Sequence, residues 1–183
     1  TYDYDSYGNM IKTTDPENNQ IVLQYDHYGR KIQMTDPDVG MVQYEYNQFG
    51  ELKREEDQKG AIVQINYDIL GRIIERIEAE FTTTWTYDTA PNGIGQVASI
   101  TTSNGYSKTH TYDNLSRPVT VTETIDGEAY TTSFTYDTDG RLATMTYPSD
   151  FQIKHIYNQY GYLAEVRDGA NNNLYWQGDT YNA

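Results

Sequence analysis

Short runs of alternating apolar and polar residues, interrupted by turn formers, set the first expectation. Met41-Val42-Gln43-Tyr44-Glu45-Tyr46 sends Val42, Tyr44 and Tyr46 to one side and Gln43 and Glu45 to the other. Ile62-Val63-Gln64-Ile65-Asn66-Tyr67 does the same with Val63, Ile65 and Tyr67. A period of two marks a strand with one sheltered face, whereas no segment carries a convincing 3.6-residue period. The expected class is all-β.

The breaks between these runs are of two kinds. In Tyr25-Asp26-His27-Tyr28-Gly29-Arg30 an Asp can bond backbone amides two residues on, and the Gly after it can take positive φ. That pairing predicts a hairpin loop built from a type I turn and a left-handed residue. The same grammar recurs at Asp5 to Gly8, Asn47 to Gly50, Asp68 to Gly71, Asp137 to Gly140 and Asn158 to Gly161. Asn serves as well as Asp because it makes the same local bond. A second turn, at Thr14 to Asn19, Thr35 to Gly40 and Asp57 to Gly60, closes each unit into strand, turn, strand, turn.

Spacing turns these hairpins into an array. The pairs begin at Tyr4, Tyr25, Tyr46, Tyr67, Tyr87, Tyr112, Tyr136, Tyr157 and Tyr181, most often 21 residues apart. A period this regular predicts one small unit stacked on copies of itself. The motif residues singled out are Tyr4, Asp5, Gly8, Tyr25, Asp26, Gly29, Arg30, Tyr46, Asn47, Gly50, Tyr67, Asp68, Gly71 and Arg72. In the later repeats they are Tyr87, Asp88, Tyr112, Asp113, Arg117, Tyr136, Asp137, Gly140, Arg141, Tyr157, Asn158 and Gly161. Leu23, Tyr44, Ile65, Trp85, His110 and Phe134 stand two residues before a motif Tyr, on its face of the strand.

The whole of 1–183 therefore reads as about eight repeats plus a truncated ninth, with roughly 16 strands in a curved antiparallel sheet. Tyr and aliphatics are expected on the concealed face, with Thr, Gln, Lys and Glu on the other. Both ends cut through a repeat. The chain is accordingly expected to be a fragment of a longer array, whose cut edges would promote self-association.

Composition narrows the functions. Thirteen Lys and Arg face 27 Asp and Glu, for a formal charge of −14. No basic patch exists to neutralise phosphates or anionic lipid, which disfavours nucleic acid and membrane-surface partners. The absence of cysteine excludes disulfides and thiolate chemistry, and no apolar run reaches the roughly 18 residues of a membrane helix.

The repeats resemble the YD-repeat pattern of the RHS (rearrangement hot spot) family across essentially the whole chain. The match is carried by Tyr25 to Arg30, Tyr67 to Ile73 and Tyr136 to Leu142, with Thr86 to Gly95 similar to a longer turn variant. The family includes polymorphic bacterial toxins, the B and C components of insecticidal toxin complexes, wall-associated proteins and teneurins. The resemblance implies a β-strip that spirals into a hollow shell, enclosing a C-terminal toxic segment in exported bacterial members. The expected partners are then the rest of the shell and that segment, and the expected location is secreted or cell-surface. Departures exist: Asn9, Glu51, Gln96 and Tyr162 replace the Arg, and Ser116 replaces the Gly, which requires positive φ there.

Other chemistry finds little support. His27, His110 and His155 stand in no ligand spacing, and are read as turn or strand residues. Asp137-Thr138-Asp139-Gly140 fails as a calcium loop, because Arg141 takes an oxygen-ligand position. Asp36-Pro37-Asp38-Val39-Gly40 has the look of a self-cleavage site but occupies the second-turn position. Neighbouring Asp and Arg are expected to form ion-pair ladders between units. The expectation is a structural shell wall with no enzyme activity, cofactor or metal. An alternative is a carbohydrate- or cell-surface-binding adhesion module that uses exposed tyrosines.

Overall fold

The computed structural model describes residues 1–178, and every regular element in them is a strand. The chain divides into two units, Thr1–Thr84 and Trp85–Ala183. The first holds β1 (Tyr2–Tyr4), β2 (Met10–Thr14), β3 (Gln20–Tyr25), β4 (Lys31–Asp36), β5 (Gly40–Tyr46), β6 (Leu52–Asp57), β7 (Ile62–Tyr67) and β8 (Ile73–Ile77). β9 (Thr82–Tyr87) crosses the boundary. The second unit continues with β10 (Val97–Thr102), β11 (Ser107–Tyr112), β12 (Pro118–Ile125), β13 (Glu128–Tyr136), β14 (Leu142–Thr146), β15 (Gln152–Tyr157), β16 (Leu163–Asp168) and β17 (Leu174–Gln177).

The described residues hold seventeen strands against the roughly 16 expected. The additional one, β17, pairs with β16 and begins the ninth unit, whose motif residue Tyr181 lies outside the described residues. Registers are antiparallel between sequence neighbours, such as Leu23 opposite Met34 and Phe134 opposite Met145. Within each unit the Tyr-Asp turns therefore gather at one end of the strands and the second turns at the other.

Irregular spacings have local causes. The step from Tyr112 to Tyr136 is longer because β12 and β13 are extended and close on Asp126-Gly127, both at positive φ (52° and 83°). A two-residue loop with that pair of conformations matches the twist of the strands it joins. The step from Tyr87 to Tyr112 is longer because the loop from Asp88 to Gln96 folds a turn inside a turn, with Gly93 N–H on Ala90 O and Gln96 N–H on Gly93 O.

The sheet has almost no interior. Among the described residues Val42, between Met34 and Asp57, is the one hydrophobic side chain that is buried, at 4% exposure. Motif tyrosines from Tyr25 to Tyr157 are half-buried, while Tyr4 stays 59% exposed. The expected division of faces needs correction. The tyrosine side also carries charge, since Glu55 stands opposite Tyr44 and Arg76 opposite Ile65. In the second unit the reverse face is a hydroxyl ladder: Thr111 and Thr120 bond at 2.7 Å, Thr122 and Thr131 at 2.9 Å, Thr135 and Thr144 at 2.7 Å. Such pairs stabilise by about 0.2–1 kcal/mol each, spread thinly over the sheet. No helix among the described residues is long and apolar enough to cross a membrane.

Candidate functional site

The repeating site is the Tyr-Asp turn and what ties it to the next. In the second repeat, Asp26 O accepts from Gly29 N–H at 3.0 Å, and Asp26 N–H reaches Arg30 O at 2.9 Å. The Asp26 carboxylate accepts from the amides of Tyr28 (2.9 Å) and Arg30 (3.0 Å), then from Arg30 Nε at 2.7 Å. Gly29 sits at φ 76°, and the register slips by one residue at Tyr25. This is the bulged hairpin loop that the sequence predicts. It recurs at Asp5, Asn47, Asp68, Asp113, Asp137 and Asn158. Asp15 and Asp57 build the same loop at the opposite edge, so the two turn types are more alike than their sequences suggest.

Ser116 takes the glycine position at φ 59°, as required, and its Oγ donates to Asn92 O at 2.7 Å. Lys31 takes the apolar strand-start position of the second repeat. It pairs with Tyr25 as Leu52 does with Tyr46, and its ammonium lies 4.3 Å from the Tyr44 ring centre.

The tyrosine hydroxyls supply what the sequence did not reveal. Beyond the pair Lys12–Val22, β2 and β3 part, and the carbonyl of Met10 has no ladder partner on that side. Tyr25 Oη–H donates to that carbonyl at 2.9 Å. Tyr46 does the same to Lys31 O at 2.7 Å, Tyr67 to Leu52 O at 2.8 Å and Tyr112 to Val97 O at 2.7 Å. Tyr136 caps Pro118 O and Tyr157 caps Leu142 O. Each acceptor lies two residues before the last ladder pair of its gap. The hydroxyl thus closes the gap between one hairpin and the next. Among the described residues no hairpin precedes Tyr4. A clue existed in the offset of about 15 residues from a strand start to the following Tyr, but only the parted strands give it meaning.

The arginines overturn the expected ion-pair ladders between units. Arg30, Arg72, Arg117 and Arg141 pair with Asp26, Asp68, Asp113 and Asp137 of their own turns. Between turns the guanidinium acts through a ring: Arg30 lies 4.8 Å from Tyr46, Arg117 4.1 Å from Tyr136, and Arg141 4.6 Å from Tyr157. A Cβ on Gly140 would come within 3.3 Å of Arg117, so the same side chain also covers the next glycine. One residue type therefore fixes its own loop and clamps the following tyrosine.

His27 lies in a turn with its ring 3.7 Å from that of Tyr28. His110 and His155 stand opposite Val121 and Val166, and burial pushes the His110 pKa down. Asp137 and Asp139 both face Arg141, which neutralises the would-be calcium loop. Asp36 accepts from the amides of Asp38 and Val39, an ordinary turn bond. No group of three or more possible metal ligands occurs among the described residues.

Hydrogen bonding gives the turns a pH dependence. The Arg72 amide, then its guanidinium and the Leu70 amide, hold Asp68 below the usual carboxylate range against the opposing effect of burial. The Arg117 guanidinium leads in doing so for Asp113. A depressed folded pKa contributes stability above the unfolded value of about 3.9, and that stability is lost as pH falls through the folded value. Circular dichroism should therefore hold steady on acidification to about pH 4 and lose its β signal below it. An acid transition centred above about pH 6 would contradict this assignment.

Residues 4–38 match the RHS Repeat family. No curated protein matches the sequence. Among solved structures, the crystal structure of TcdB2-TccC3 superposes with a TM-score of 0.76 at 17% identity, covering 94% of this chain and 11% of that one. The TcdB2-TccC3-Cdc42 crystal structure gives 0.69 at 14% identity, with coverage of 94% and 11%. A mutant Tc holotoxin pore from Photorhabdus luminescens gives 0.64 at 16% identity, with coverage of 86% and 9%. At these identities the likeness is one of fold. The chain spans about a tenth of the length of the proteins it matches.

Proposed function

We propose that this chain, an array of RHS/YD repeats, forms a stretch of wall in a larger hollow shell of an exported bacterial protein. The shell encloses a further segment of the same protein and holds it until delivery. The observation that carries this reading is a sheet stitched hairpin to hairpin while its tyrosine face stays only half-covered. A lone globular domain buries far more of its apolar surface. A wall does not need to, because its second layer is whatever it encloses. The tyrosine hydroxyl and arginine clamps suit such a wall, since they join neighbouring units without requiring a core. The motif residues bear the fold, and no catalytic role is assigned to them.

Electron microscopy of the full-length protein should show a closed particle with internal density. An extended, open ribbon would overturn the proposal.

A further inference from the structure

The Tyr-Asp turns of the first unit carry a feature that their own folding does not require. The third residue of each loop, or the pair at its tip, is large and apolar: Tyr7, Tyr28, Phe49, and Ile69 with Leu70. They are between 70% and 101% exposed. The turn's hydrogen bonding uses only the backbone amide at that position, which donates to the Asp or Asn side chain at 2.9 Å for Tyr7, Tyr28, Phe49 and Leu70. Asp139 occupies the same loop position in the turn that starts at Asp137, so a polar residue serves the turn equally well. A hairpin tip is where apolar side chains are least expected, and a row of them marks a contact surface.

The same edge offers a recess. Where β2 and β3 part, a hollow of 930 Å³ opens between the first two turns, lined by Tyr7, Asn9, Ile11, Tyr25, Asp26 and Tyr28. The projections repeat along this edge at intervals of roughly two strand widths, or about 10 Å. Two identical edges related by a two-fold axis can each seat a tip in the other's hollow, an isologous arrangement. The tips expose roughly 700 Å² together, close to the approximately 800 Å² per partner of a standard interface. Arg30 and Arg72 neutralise Asp26 and Asp68 within their own loops, which lowers the charge at two of the turns.

We propose that this edge is a self-association surface and that its partner is the same edge of a second copy of the chain. Sedimentation velocity of the 183-residue chain should show a dimer. The variant Tyr7→Ser/Tyr28→Ser/Phe49→Ser/Leu70→Ser should be a monomer with an unchanged circular dichroism spectrum. Should that variant misfold, Phe49→Glu alone should weaken dimerisation more than about tenfold, because it places like charges on both sides of the two-fold. Leu174→Pro, which blunts the β17 edge, should leave the dimer intact. A monomeric parent chain, a dimer that survives Phe49→Glu, or a dimer lost in Leu174→Pro would each overturn the proposal. So would a monomer that cosediments with phosphatidylcholine vesicles through these tips, because the edge would then be a lipid contact. This test is independent of whether a shell forms.

Discussion

Tyr112→Ala should be the most damaging single change at the stitch, at about 3 kcal/mol. Tyr112 serves three neighbours at once. Its hydroxyl caps Val97 O at 2.7 Å, and its ring stacks on His110 at 6.3 Å. The ring also packs so closely on Gly93 that a Cβ there would lie 2.9 Å from Cδ2. Alanine removes the ring from a half-buried position and leaves the Val97 carbonyl without its donor, in a gap the strands cannot close. Tyr112→Phe isolates the hydroxyl and should cost about 1 kcal/mol. The two values separate ring packing from the carbonyl cap. Hydrogen exchange is the suitable readout, since in a repeat array the loss is local and a single unfolding midpoint averages it away. The amides of β10 and β11 should lose protection first. Equal protection in Tyr112→Phe and the parent chain would refute the cap.

The turn was legible in the sequence because its chemistry is local. Asp26 with Gly29, or Asn47 with Gly50, needs only residues within one loop, and Ser116 announces its positive φ by standing where glycine belongs. The stitch was not legible, because its acceptors belong to the previous hairpin and are backbone atoms common to all residues. Nothing in Met10 or Leu52 marks its carbonyl as unpaired. Only the parting of β2 from β3, or β6 from β7, creates the vacancy that a tyrosine hydroxyl fills. The arginines misled for a related reason. Opposite charges at a regular period suggest ladders between units, yet a bulged loop folds Arg30 back over Asp26 and turns its flat face to Tyr46. The alternating charges pointed to an ion pair and concealed the ring contact.

Because each hydroxyl and each guanidinium reaches only one hairpin away, cohesion is nearest-neighbour in character. Asn9 and Glu51 fill the arginine position without a positive charge, and Asn9 instead holds Asp5 through its amide at 2.9 Å. Those repeats keep the loop and give up the clamp on the next ring. Such joints are the natural places for local opening.

Gly71→Val should destabilise the hairpin of β7 and β8 by about 2 kcal/mol. Gly71 lies at φ 76°, where a β-branched residue crowds its own carbonyl. The site is tight as well, because a Cβ would come 2.7 Å from Glu51 Oε1 and the Glu51 carboxylate would have to swing away. Asparagine provides the control. Asn18, Asn92 and Asn172 already hold φ of 68°, 59° and 64° in this chain, so Gly71→Asn should retain most of the stability. Any loss it shows is then due to the Glu51 clash rather than to backbone strain. Exchange of the amides from Tyr67 to Ile77 should quicken strongly in Gly71→Val and weakly in Gly71→Asn. If both variants lose protection equally, crowding by Glu51 sets the requirement for glycine and the left-handed conformation does not.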